Sequence, residues 1–212
     1  MAETTSLISA LSAVPILPEL IIERLEDAAQ LAMALERGGA KAATVRLGTP
    51  AALAALPVMR DASANIMVGA SGIVSSEDVA TAVGAGAEFL LSPGVSPSLG
   101  DAMLNAAVPA MPGIGTVSEA LTRISEGFEV LGVMATTADA RAFLTTLATC
   151  LPSVQIVASG SLDMNIATEH LAVPNVLAVS GTWMVRSSDV AIGDWVGVEQ
   201  TIKLAITRMG IS

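Results

Sequence analysis

Aromatic residues are almost missing from this chain of 212 residues: it has no tyrosine, three phenylalanines and two tryptophans. Its core must therefore be built from Ala, Val, Leu, Ile and Met. A single cysteine, Cys150, excludes an internal disulfide and suits a reducing cytoplasm. A single histidine, His170, beside that lone cysteine leaves zinc without a ligand set, so no metal or other cofactor is expected. Basic residues number 10 against 20 acidic ones, a net charge of −10. No basic run is present to neutralise phosphates, which excludes nucleic acid and an anionic membrane surface as partners. No uninterrupted apolar run approaches the roughly 18 to 20 residues that span a bilayer. No basic segment opens the chain, so no secretory signal is expected, and the cytoplasm is the expected location.

What the chain does have is aliphatic content. Hydrophobic residues make up 52% of it and charged residues only 14%. A surface this poor in charge implies that other subunits cover some apolar area. The length suffices for one sizeable core. Along the chain an apolar run, a turn and an amphipathic run repeat about eight times. Strands are expected at 18–22, 42–47, 66–70, 89–92, 108–111, 130–134, 154–158 and 176–180. Helices are expected at 25–37, 50–60, 76–84, 97–106, 117–126, 138–149, 164–170 and 196–209. Gly38-Gly39, Gly84, Gly86 and Gly127 stand where left-handed C-caps are wanted, and Thr116-Val117-Ser118-Glu119 has capping-box spacing. Short apolar strands alternating with helices imply a parallel sheet covered on its faces. The expected fold is therefore one α/β (β/α)8 barrel domain over 1–212, with an open doubly wound sheet as the alternative.

The stretch 42–50 organises this layout. Ala43, Val45 and Leu47 point one way, and Thr44, Arg46 and Gly48 the other. In a closed barrel the second set faces the axis, and the strand's C-terminal end lies where such barrels do their chemistry.

A series of short motifs then makes the chain recognisable. In order they are Leu25-Glu26-Asp27-Ala28, Thr49-Pro50-Ala51-Ala52-Leu53, Gly84-Ala85-Gly86-Ala87-Glu88-Phe89, Ser92-Pro93-Gly94, Met111-Pro112-Gly113, Thr116-Val117-Ser118-Glu119, Gly181-Thr182-Trp183-Met184-Val185 and Gly193-Asp194-Trp195. Their order and spacing resemble the bacterial 2-keto-3-deoxy-6-phosphogluconate (KDPG) / 4-hydroxy-2-oxoglutarate (KHG) aldolase family over about 18–209. The resemblance implies a homotrimer of (β/α)8 barrels that cleaves a keto acid to pyruvate. Catalysis there uses a lysine Schiff base and a glutamate proton shuttle on the second strand.

The residues that carry this chemistry do not match. By the resemblance, Thr44 stands in the glutamate's place and cannot act as a carboxylate base. Gly48 stands for the arginine that holds the substrate carboxylate, and Gly132 for the Schiff-base lysine. The glycine-rich loops after the seventh and eighth strands read Ala158-Ser159-Gly160-Ser161 and Ser180-Gly181. A Schiff base requires an amine, and the only lysines are Lys41, expected at the barrel's N-terminal face, and Lys203, expected on the outside of the last helix.

Among the remaining residues Arg46 is the most informative. A guanidinium facing the barrel interior needs a partner or an anion. Three placements stay open: an ion pair with Glu19 on the first strand, an anion site for a keto acid or phosphate, or a position at a strand edge. Ser159, Gly160, Ser161, Ser180 and Gly181 could present backbone N–H groups to a phosphate. Asp139 and Asp163 fall at the catalytic rim and read as helix caps. His170 and Cys150 read as helix-end packing and the methionines as core filler.

The expected function is an aldolase-like barrel that has lost its Schiff-base lysine and proton-shuttle glutamate. It would be a non-catalytic homologue or engineered scaffold, open to a small anion. The alternatives are a pyruvate-forming keto-acid lyase with a substituted residue set, and a metal-assisted enzyme using Asp139 or Asp163.

Overall fold

The structure is a computed structural model, and it describes residues 2–135, 139–160 and 163–210. The strands are β1 (Ile16–Leu20), β2 (Ala42–Arg46), β3 (Met67–Ser71), β4 (Leu90–Leu91), β5 (Ala110–Met111), β6 (Gly113–Ile114), β7 (Val130–Met134), β8 (Gln155–Ser159) and β9 (Val176–Gly181). All pair in parallel, in the order β5-β4-β3-β2-β1-β9-β8-β7-β6.

The two ends of that order meet at Pro112. β5 pairs with β4, and β6, which begins one residue after Pro112, pairs with β7. Proline has no N–H to give a ladder, so the strand is interrupted there. Its carbonyl still accepts the Gly132 N–H at 2.9 Å, while the Met111 carbonyl accepts from Ser92 at 3.2 Å. β5 and β6 are thus two halves of one barrel strand, and the nine segments make an eight-position closed barrel. The open-sheet alternative is overturned.

The helices are α1 (Ala2–Ala13), α2 (Ala28–Gly38), α3 (Ala52–Ala62), α4 (Ser76–Gly84), α5 (Pro97–Leu104), α6 (Val117–Glu126), α7 (Ala140–Cys150), α8 (Met164–Leu171), α9 (Ser187–Ala191) and α10 (Trp195–Arg208). α4 and α6 span the expected residues, and both begin with a capping box, Ser75 with Asp78 and Thr116 with Glu119. Gly39, Gly86 and Gly127 adopt positive φ, but Gly84 does not and closes α4 in helical geometry. The first strand begins two residues earlier than expected, and the fourth is shorter.

Two apolar clusters follow from strand parity. Ala43, Val45, Val68, Ala70, Leu131 and Val133 point outward and pack beneath the helices. Leu17, Ala42, Leu91, Met111, Val130, Val157 and Ala178 point inward with the fully buried Phe89. The Phe89 ring lies where a side chain at Gly69 would go, since a Cβ there would stand 2.5 Å from it. One of the three phenylalanines thus fills the middle of the barrel.

α1 falls outside the elements expected from the sequence. Its Leu7 and Leu11 are fully buried and belong to the inner cluster, so this helix closes the base of the barrel. α9 is likewise additional. The first and last helices of the outer ring touch where Gly38 meets Ile202, leaving a Cβ at Gly38 only 2.7 Å from the Ile202 Cβ.

Candidate functional site

The inward parity continues to the C-terminal ends of the strands and builds a small pocket there. Glu19 from β1, Arg46 from β2, Ser71 from β3, Leu91 from β4, Met134 from β7 and Ser159 from β8 all line it, with Gly72, Ser92, Pro93 and Gly160. Its volume is about 70 Å³, more than one water needs.

Glu19 and Arg46 are its charged groups. Arg46 Nε lies 3.4 Å from Glu19 Oε1, so the structure realises the ion pair anticipated for Arg46. The edge placement is overturned. Ser71 Oγ donates to the same carboxylate oxygen at 2.8 Å. The Glu19 side chain is nearly buried, while that of Arg46 is 46% exposed, so the guanidinium lies at the opening. Gly72, at φ +74°, lets the chain turn beside the arginine stem: a Cβ there would be 3.5 Å from Arg46 Cγ. Ser92 Oγ accepts from the Gly113 N–H at 3.3 Å. Ser159 Oγ donates to the Val133 carbonyl at 3.4 Å and touches the Met134 sulfur.

Two of the three positions singled out by resemblance also face the axis. Thr44 lies fully buried one layer below Arg46, and its hydroxyl has no partner among the described residues. Gly132 points inward too, because a Cβ there would meet Leu91 Cδ1 at 3.2 Å and the Gly113 Cα at 3.5 Å. Gly48, at φ +122°, has open space on its side-chain face. Lys41 is exposed immediately before β2, at the base of the barrel. Lys203 lies on α10, paired with Glu199 at 2.6 Å. Neither lysine lines the mouth.

The expected phosphate loops are only partly brought together. Ser159 and Gly160 line the pocket, whereas Ser180 is fully buried with its hydroxyl unpaired among the described residues. The Gly160 N–H already donates to the Ser180 carbonyl at 3.2 Å. Gly181 sits against the Gly160 carbonyl, 2.7 Å from where its Cβ would be, with the Trp183 indole on the same side. Ser161 lies outside the described residues.

Other sequence candidates take structural positions. Asp163 Oδ1 accepts from the Asn165 and Ile166 N–H groups and caps α8. Asp139, expected as a helix cap, holds the N-cap position of α7 but makes no side-chain cap bond among the described residues. No group of three acidic, histidine or cysteine side chains suited to a metal occurs among the described residues. His170 is buried at the end of α8, with its pKa lowered chiefly by burial and by Arg141, against the opposing pull of Glu169. Two expectations need correcting. Cys150 is exposed at the end of α7 and not packed. Met134 is 40% exposed at the mouth and not core filler, because β7 ends there with its inward side chain facing the opening. Ser71 and Met134 were not anticipated, although the period-two rule that places Glu19 and Arg46 applies equally on β3 and β7.

The closed parallel barrel with its polar groups at the C-terminal mouth defines the class: a (β/α)8 barrel of the kind that carries active sites at that end. The chain belongs to the KDPG and KHG aldolase family, whose profile matches residues 7–201. It is 32% identical over 207 residues to the 2-dehydro-3-deoxy-phosphogluconate aldolase of Treponema pallidum, covering 97% of this chain and 99% of that one. The enzyme of the same name from Pseudomonas aeruginosa is 31% identical, covering 91% and 88%. Among solved structures, it resembles the KDPG aldolase of Legionella pneumophila with pyruvate captured at low pH as a covalent carbinolamine intermediate. That match has a TM-score of 0.89 at 28% identity and covers 94% of this chain and 97% of that one.

Proposed function

We propose that this chain is a family member that does not perform Schiff-base aldol cleavage and that its barrel mouth binds a small anion. The observation that carries this reading is the position of its amines. The two lysines lie at the base of the barrel and on α10, and the inward position on β7 that the resemblance assigns to the lysine is Gly132. A carbinolamine forms only where an amine can attack the ketone. A cavity lined by hydroxyls, a carboxylate, a guanidinium and a thioether offers none. Arg46 remains as an always-charged donor fork at the opening, suited to a carboxylate or phosphate oxygen pair.

The same reading takes the chain as a homotrimer in the cytoplasm, supported by a surface with little charge and a lone cysteine. A second reading, a pyruvate-forming keto-acid lyase with a substituted residue set, is favoured by the aldolase names of its relatives and by the Glu19 carboxylate at the mouth. Incubation with pyruvate and borohydride, read by intact mass, separates the two. An unmodified mass supports the non-catalytic reading, and a stoichiometric adduct overturns it.

A further inference from the structure

The Glu19–Arg46 pair is unsaturated. A charge-assisted hydrogen bond between guanidinium and carboxylate is about 2.7–2.9 Å long. Here the Arg46 Nε to Glu19 Oε1 approach is 3.4 Å, longer than such a bond. Ser71 instead takes Oε1 at 2.8 Å and fixes the carboxylate on the barrel wall. The Arg46 side chain is 46% exposed, so its guanidinium stays open to the mouth, and the Ser71 hydrogen bond engages one of the two Glu19 carboxylate oxygens. Both side chains line the same small cavity. The mouth therefore offers a fork of donors at the opening and a carboxylate acceptor beside it.

We infer that the mouth is a receptor for a small 2-hydroxy or 2-amino carboxylic acid, held by its carboxylate on Arg46 and by the donor on its C2 atom on Glu19. The inference rests on the small-anion reading above and names its ligand class. A 2-keto acid carries only an acceptor at C2. Bound by its carboxylate to Arg46, it would set the ketone oxygen beside the Glu19 carboxylate, two acceptors with no proton between them. A hydroxyl or ammonium at C2 supplies that proton. A small cavity further favours an acid of two to four carbons over a phosphorylated sugar acid.

The test is ligand-observed NMR titration of the full chain at neutral pH with L-lactate, L-alanine and pyruvate, acids of equal carbon number. A hydrogen bond to a charged group is strong enough to separate the ligands by about tenfold or more. We expect lactate, alanine or both to bind at least about tenfold tighter than pyruvate. Stronger alanine binding assigns the donor as an ammonium, and stronger lactate binding assigns it as a hydroxyl. Glu19→Gln should bring the three affinities to within about threefold of one another. Arg46→Ala should weaken all of them together. Pyruvate binding as tightly as both others would overturn the inference, as would no binding of any of the three. Both of these outcomes are read on the unaltered chain and do not depend on either variant folding. Pyruvate binding as tightly as both others overturns the inference and leaves the small-anion reading standing, whereas no binding of any of the three removes both.

Discussion

A carboxylate and a guanidinium on neighbouring strands give this barrel mouth its chemistry. Residues of one parity on β1, β2 and β3 converge on one point, so Glu19, Arg46 and Ser71 meet although 52 residues separate the first from the last. At the other end of the molecule, the buried His170 is a residue whose protonation opposes folding. Its pKa is lowered by burial first, and Arg141 adds to the effect. The unfolded chain therefore takes up a proton near pH 6.5 at which the folded chain stays neutral. The stability tied to this residue is fully present above that pH and is lost as pH falls through and below it. Urea midpoints measured at pH 7.5 and 5.5 should fall further for the unaltered chain than for His170→Gln. Equal falls would show that the ring is not held neutral.

At the scale of elements, helix α1 and the break at Pro112 decide whether the barrel is complete. Leu7 and Leu11 of α1 reach the inner cluster and are fully buried. Leu7→Ala and Leu11→Ala should each cost about 2–5 kcal/mol, the range for emptying a buried leucine site, measured by chemical denaturation. Losses under about 0.5 kcal/mol would mean that α1 rests on the base without sealing it. Much of the remaining architecture was legible in the sequence, for physical reasons that also explain the misses. The period of two placed Thr44 and Arg46 inside and Ala43 and Val45 outside, because a half-turn per residue leaves no other choice once the outer face is covered. Capping residues fixed α4 and α6. The segment 2–13 was opaque because Leu7, Ile8 and Leu11 sit among serines and threonines without a sustained stripe, and their burial depends on a barrel base that only the whole fold supplies. Pro112 was opaque in another way. An apolar strand ending at 111 and a glycine at 113 do not show that the proline's carbonyl bridges to β7.

At the scale of the whole molecule, the fold follows its relatives, and what the mouth does rests on its own side chains. A TM-score of 0.89 at 28% identity shows how little of the barrel depends on particular side chains. The site was legible only in part. Arg46 followed from parity with Glu19 as one anticipated partner, Ser71 lay one residue beyond the expected end of its strand, Met134 ended an expected strand but read as core, and the two loops are tied to each other by the Gly160 N–H on the Ser180 carbonyl. The mouth that results holds a carboxylate, a guanidinium and hydroxyls, and no lysine lines it. The most direct test of this account is the intact mass of the protein after incubation with pyruvate and borohydride, recorded beside a native mass spectrum. An unmodified chain mass is the predicted result. A chain carrying one reduced pyruvate in stoichiometric yield would contradict it, because Lys41 or Lys203, which lie away from the mouth, or the terminal amine would then have formed the Schiff base.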